Sequence, residues 1–266
     1  MAVWDPTTYL QFADERARPF YDLVARIGAV DPRVVVDLGC GPGQLTASLA
    51  ERWPTAQLIG VDSSAEMIGA AQQYASERVR FTLGDLRAWQ PDLPVDVIIS
   101  NAALQWVPGH RALFPRLVTA LAAGGLLAFQ VPGNFGAPSH QLLHRLAADA
   151  RFAAATEQVE TPEAFDPAVY LGDLATLGCA VDAWETTHLH VLSGRDPVYR
   201  WMLGTGARPV LQALPDELRE QFVAEYQALL HAAYPARPYG TVLPYRRVYV
   251  VARRATSDVA ARASRS

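Results

Sequence analysis

Between Arg33 and Val131 the apolar positions fall in short runs, VVVDL, QLIGV, VRFTL, VDVIIS and LLAFQV, each bounded by turn residues and separated by stretches of helical period. Such bounded, β-branched runs read as buried strands and the stretches between them as helices. The predicted order is strand 33–38, helix 43–53, strand 56–61, helix 64–75, strand 79–83, strand 95–100, helix 109–122 and strand 125–131. Alternation of this kind predicts a parallel sheet wrapped by helices.

Further along, Asp166 to Leu177 has a helical period and stops at Gly178, VDAWETTHLHVL (181–192) reads as a strand, and YRRVYVVARR (245–254) as another. Seven strands result. At the start, Trp4-Asp5-Pro6 is a helix start with Asp5 as cap, and Tyr9, Phe12 and Arg16 share one face of that helix. Two segments stand outside the sheet, about 133–165 and 195–242, and with residues 1–20 they are expected to form helical lids over the strand ends. One domain over 1–254 is expected, its sheet core drawn from about 30–131, 166–192 and 243–254, with 255–266 as a disordered tail.

Composition narrows the functional classes. Half of the 266 residues are hydrophobic, enough for a large core, and the formal charge of −4 does not suit a surface that must neutralise many phosphates. No apolar run approaches a membrane span, so a soluble, cytoplasmic protein without nucleic-acid or membrane partners is expected; a monomer is compatible with the chain. Only Cys40 and Cys179 occur, far apart, which points to free buried thiols and to no metal centre. All 23 basic residues apart from histidine are arginine, so lysine chemistry is excluded.

The chemistry gathers where the strands end. Gly39-Cys40-Gly41-Pro42-Gly43 follows the first strand, at the edge where open α/β sheets bind ligands, and its glycines let the backbone approach one closely. Its G-x-G-x-G spacing differs from the G-x-G-x-x-G dinucleotide fingerprint. Asp62-Ser63 closes the second strand about 20 residues later, where a carboxylate can accept both hydroxyls of a ribose. That pair alone fits a nicotinamide dinucleotide equally well.

With Asp37 before the glycines, Asp85-Leu86 after the third strand and DVIISNAALQWV after the fourth, region 33–131 resembles the class I S-adenosylmethionine-dependent methyltransferases. The resemblance implies an α/β fold with a seven-stranded, doubly wound, mostly parallel Rossmann-like sheet. It also implies S-adenosyl-L-methionine as cofactor. Asp37, Gly39, Cys40, Gly41 and Gly43 would face its methionine part, and Asp62 with Ser63 the ribose. Asp85 would take the adenine amino group, the Leu86 amide the ring, and Asn101 the methionine amine beside the transferable methyl.

WDPTTYLQFADERARPF, NAALQWVPGH, VPGNFGAPSH, WETTHLHVLSG and LPYRRVYVVA resemble, more narrowly, the trans-aconitate 2-methyltransferase family, over about 250 residues. This implies a carboxyl O-methyltransferase forming the monomethyl ester of trans-aconitate or a related small polycarboxylate. NAALQW is also similar to methyltransferases that esterify malonyl-acyl-carrier protein, and methylation of that substrate or of another small molecule is the alternative reading. A non-catalytic cofactor sensor is a third.

A carboxylate is ionised at neutral pH, so the enzyme chiefly has to align the reacting atoms, and no catalytic base is expected. Substrate contacts are expected from Tyr9, Gln105, Trp106, His140, Arg195, Arg246 and Arg247, the arginines because their planar forks bind carboxylates bidentately. Arg246 and Arg247 alternate faces on a strand, so one of them at most should enter the pocket. Arg16 and Arg18 come next, while His188 and His190 share a strand face and read as structural.

Overall fold

A computed structural model describes residues 13–28 and 30–256. The helix start at Asp5-Pro6, Tyr9 and the tail beyond Thr256 lie outside the described residues. The chain runs α1 (Ala13–Arg26), β1 (Val34–Leu38), α2 (Gln44–Arg52), β2 (Gln57–Asp62), α3 (Ala65–Ala71), β3 (Val79–Leu83), β4 (Val95–Asn101), α4 (Phe114–Ala120) and β5 (Leu121–Pro132). It continues through α5 (Pro138–Ala147), α6 (Ala153–Thr156), α7 (Pro167–Thr176), β6 (Cys179–Leu192), α8 (Pro197–Leu203), α9 (Ala207–Ala213), α10 (Asp216–Ala233) and β7 (Thr241–Arg254).

All seven strands join one sheet in the order β3-β2-β1-β4-β5-β7-β6. The first five are parallel, and β7 is antiparallel to both neighbours, β5 and β6. The order reverses between β1 and β4, which opens a crevice at their carboxyl ends.

Alternation along the strands sorts side chains onto two faces. On one, Val35, Val97, Ile99, Ala128, Tyr249 and Val251 pack under Phe20, Leu23 and Val24 of α1 and Leu49 of α2. On the other, Val36, Ile98, Phe129, Val248 and Val250 meet Phe114 and Leu117 of α4 and Tyr170 and Leu174 of α7. A third cluster joins α5, α8, α9 and α10 to Leu243 and Tyr245 of β7, so the two segments that stand outside the sheet share one core.

The predicted helix over 109–122 is shorter in the structure. A 3-10 turn covers His110–Leu113, α4 spans seven residues, and Leu121 already belongs to β5. The turn residues Gly124-Gly125 lie within that strand, where Gly125 has room for no side chain between the Ala122 and Asp96 carbonyls. The helix expected over 64–75 likewise ends at Ala71 and tightens into a 3-10 turn over Gln72–Tyr74.

Candidate active site

The loop after β1 is built by glycine. Gly39 (φ 82°) donates its amide to the Val61 carbonyl at 2.7 Å, and a Cβ there would stand 2.2 Å from the Ala103 Cβ. Gly43 (φ 85°) opens α2, and a Cβ would collide with Ala71 and Phe81 at 2.7 and 2.8 Å. Gly41 (φ 56°) meets nothing within 4 Å on its open side. The loop is therefore pressed against the protein at Gly39 and Gly43 and faces space at Gly41.

A small cavity of about 30 Å³, open to solvent, lies over this loop, lined by Asp37, Gly39, Cys40, Gly41, Pro42, Gln44, Leu45, Asn101 and Phe20 of α1. Its polar side chains include two that offer acceptor oxygens. Asp37 is buried, takes a hydrogen bond from Thr46 Oγ1 at 2.6 Å, and burial pushes its carboxyl up to about 7. Asn101, the last residue of β4, holds a buried Oδ1 that has no hydrogen-bond partner among the described residues. Burial, with Asp37 and Asp62 nearby, holds the Cys40 thiol far above its usual range, so it is a neutral filler and not a nucleophile. Both cysteines are free and buried.

Asp62, at the end of β2, accepts from the Gly41 amide at 2.9 Å through Oδ2 and from the Ser64 amide at 2.9 Å through Oδ1. Each oxygen keeps a further lone pair for a ligand hydroxyl. Ser63 is its exposed neighbour and Ser64, one residue on, caps α3. Asp85 is differently engaged: Arg87 grips both carboxylate oxygens, at 2.6 Å at the closest, and holds the carboxyl below its usual range. Leu86 is buried, and its carbonyl accepts from Arg116.

After β4 the chain turns at Ala102, whose φ of 54° is unusual for a residue with a Cβ. That turn is pinned by the Ala102 amide on the Gln130 carbonyl, 2.9 Å, and by Gln105 Nε2 on the Ala102 carbonyl, 2.7 Å. Gln105 is thus buried with one end of its amide used structurally and Oε1 unpartnered among the described residues, while Trp106 is half-buried in the same 3-10 turn.

The structure separates the candidate arginines. Arg195 is 95% exposed and pairs only loosely with Asp196, 3.3 Å away. Arg246 lies on the α7 face of β7, where Asp166 (2.7 Å), Glu185 and the Gly133 carbonyl occupy its guanidinium. Arg247 lies on the opposite face, 4% exposed, with its guanidinium 4.6 Å from the Tyr245 ring. Arg18 of α1 is exposed and pairs with Asp22 at 3.7 Å. His140 is buried against Asn134, Ser139 and Phe135, and burial with His144 nearby lowers it to about 4, so it is neutral at physiological pH.

Four further buried groups keep polar atoms unpaired among the described residues. Gln130 keeps both ends of its amide, His188 both ring nitrogens, His190 its Nε2 and Tyr249 its hydroxyl without hydrogen-bond partners among the described residues. Each had a signal in the sequence: a lone glutamine in the apolar strand LLAFQV, two histidines two apart in THLH, and a tyrosine at period two from an arginine in RVY. What the sequence lacked was the register that puts them on one face.

The sheet order, the switch point between β1 and β4 and the glycine loop against it define an α/β methyltransferase. A family model described as "Methyltransferase domain" matches residues 35–125. The chain belongs to the trans-aconitate 2-methyltransferase family. It is 52% identical to the trans-aconitate 2-methyltransferase of Streptomyces avermitilis, over 94% of this chain and 96% of that relative, and 51% identical to that of Rhodococcus jostii, over 94% and 99%. Among solved structures, the YcgJ protein of Bacillus subtilis superposes with a TM-score of 0.56 at 16% identity, covering 90% of this chain and 99% of that one. Geranyl diphosphate C-methyltransferase of Streptomyces coelicolor superposes with a TM-score of 0.53 at 16% identity, covering 93% and 82%.

Proposed function

We propose that the protein is an S-adenosylmethionine-dependent carboxyl O-methyltransferase that forms the monomethyl ester of trans-aconitate. The observation that carries the cofactor is the lining of the cavity over Gly39–Gly43, where Asp37 and the bare Asn101 Oδ1 offer acceptors to a cationic ligand end. S-Adenosylmethionine suits it, bearing an ammonium and, when bound, supplying a methyl made electrophilic by a sulfonium sulfur. Asp37, the loop and Asn101 would hold the methionine part, and Asp62 with Ser63 the ribose. Asp85, if Arg87 shares it, would take the adenine amino group beside Leu86. Membership of the family supports trans-aconitate as acceptor.

The residues contribute alignment and dryness. A carboxylate acceptor is already ionised at neutral pH, so the residues here would have to aim its oxygen at the methyl that bound S-adenosylmethionine would supply, with no proton to remove. No base is therefore required, in keeping with a neutral, enclosed His140. Phe20 and α1 close the cavity from one side, which strengthens electrostatic contacts within it. Residues 1–254 act as one unit in this reading, with 133–165 and 195–242 as its cap.

Labelled cofactor offered with a panel of di- and tricarboxylates and with malonyl-carrier protein tests it. Trans-aconitate should be the fastest acceptor, with label released as methanol by alkali. Alkali-stable label would overturn carboxyl methylation, and faster turnover of malonyl-carrier protein would favour that substrate instead.

A further inference from the structure

The unpartnered polar groups form an ordered set. Strand register places Asn101 opposite Gln130, and Gln130 opposite Tyr249, in one row across β4, β5 and β7. Two residues along β7 comes Arg247, then Tyr245 opposite His188, then Leu243 opposite His190. Side chains two apart share a face and are separated by about 7 Å, so the set is a track leading away from Asn101, and so from the cavity, along the β6/β7 ribbon. His190 stacks on Trp201 at 4.6 Å, which fixes its ring plane.

Natural cores leave few buried polar atoms unsatisfied, and a run of them on one face calls for a ligand or a function. The charge around this run has a sign. Arg247 lies on the same face and Arg18 faces it from α1; burial first, and then these two arginines, lower His188 and His190, while Asp22 of α1 is the acid that faces His188, 3.5 Å from Nε2. Arg246, on the other face, is paired with two carboxylates.

We propose that Gln130, Tyr249, Arg247, His188 and His190 form the anion subsite of the acceptor pocket, holding those carboxylates of the substrate that are not methylated. The inference rests on the carboxyl methyltransferase reading and names the substrate class of that same site. Amide, phenol, imidazole and guanidinium can all donate to carboxylate oxygens, and the track extends over more than one row, which matches an acceptor with two spectator carboxylates. Malonyl thioester has none beyond the reacting one. α1 lies against β5 and β7 on this face.

The test compares kcat/KM for trans-aconitate, a dicarboxylate and a monocarboxylate of similar carbon skeleton in the wild type and in Gln130→Leu, Tyr249→Phe, His188→Leu and Arg247→Met. The wild type should prefer the tricarboxylate by about tenfold or more for each spectator carboxylate, and the variants should shrink that ratio about tenfold at unchanged cofactor affinity. An unchanged ratio in variants that bind cofactor normally overturns the proposal. Tyr249→Phe keeps the packing shape and guards against misfolding in the others. Calorimetric binding of propane-1,2,3-tricarboxylate, which needs no turnover, separates the two readings. If no carboxylate is esterified yet this ligand binds and the variants weaken it about tenfold, the subsite stands and the reaction assignment falls; no binding, or no weakening, overturns the subsite.

Discussion

The Asp62 carboxylate accepts the Gly41 amide at 2.9 Å, so the end of β2 holds the loop that follows β1. The residue proposed for the ribose also shapes the turn proposed for the methionine part. Asp62→Ala is predicted to weaken cofactor binding by about 1–3 kcal/mol, the scale for losing hydrogen bonds to a charged acceptor. Calorimetric titration of a folded variant with unchanged affinity would remove Asp62 from the site.

Gly39 tests the loop from the other side. Alanine there has to adopt φ near 82° and to push Ala103 away from 2.2 Å, which predicts a loss of about 2–4 kcal/mol of stability. Adding Ala103→Gly should return part of it, since the clash goes and the backbone strain stays. Urea unfolding of the single and double variants measures both; a double variant no better than the single one would show that the contact is not limiting.

Asp37, raised to about 7 by burial, is largely protonated near pH 6 in the free protein. A cationic ligand end beside it favours the carboxylate, so cofactor binding at pH 6 should release up to about one proton. Titration in buffers of different ionisation enthalpy reads that number, and Asp37→Asn should abolish it. Buffer-independent heats in the wild type would contradict the placement of the cation. For stability the sign is negative. Between about pH 4 and 7 the folded state holds a proton that the unfolded state has lost, so Asp37 lowers stability by about 1.4 kcal/mol per unit as pH rises through that window.

His140 acts in the opposite sense. Its folded value near 4 lies below the usual histidine value, so the unfolded state binds the extra proton between about pH 4 and 6.5 and stability falls as the solution is acidified through that range. Replacement by glutamine should flatten this part of the stability profile. Single-turnover methyl transfer should meanwhile carry no histidine slope between about pH 6 and 8; a tenfold fall per unit on acidification, lost in His140→Gln, would show a catalytic base after all.

The three arginines predicted as equals are not equivalent in the structure. Arg195→Met and Arg246→Met should each keep acceptor kcat/KM within about threefold, because one side chain is solvated and the other is already paired. Arg246→Met should instead cost about 1 kcal/mol of stability, since Asp166 and Glu185 lose their shared cation. A tenfold loss of acceptor kinetics in either variant would move the pocket toward it.

Most of the sheet was legible because each strand has a continuous apolar run and local punctuation: β3 falls at 79–83 as predicted, and β1, β2 and β4 within one residue. Boundaries shifted where glycine and the partner strand decide, as at Leu121 in β5. Alternation along YRRVYVV correctly put Arg246 and Arg247 on opposite faces, yet no local pattern says which face meets α1 and which meets α7. For the same reason the sequence does not show what surrounds His188 and His190. A period-two pair looks identical in a core and in a pocket until pairing with Tyr245 and Leu243 places it along the track from Asn101.

The last strand among the described residues, β7, lies between β5 and β6 and not at an edge. During synthesis the other six strands of the sheet leave the ribosome before the segment that must join them, so β5 and β6 each wait with one edge unpaired. Both main cores include β7 side chains, Tyr249 in one and Val248 in the other, and neither can close until about residue 254 is free of the exit tunnel. Folding of this protein is thus committed by its final strand, and a chain halted before Thr241 should remain protease-sensitive and without affinity for the cofactor.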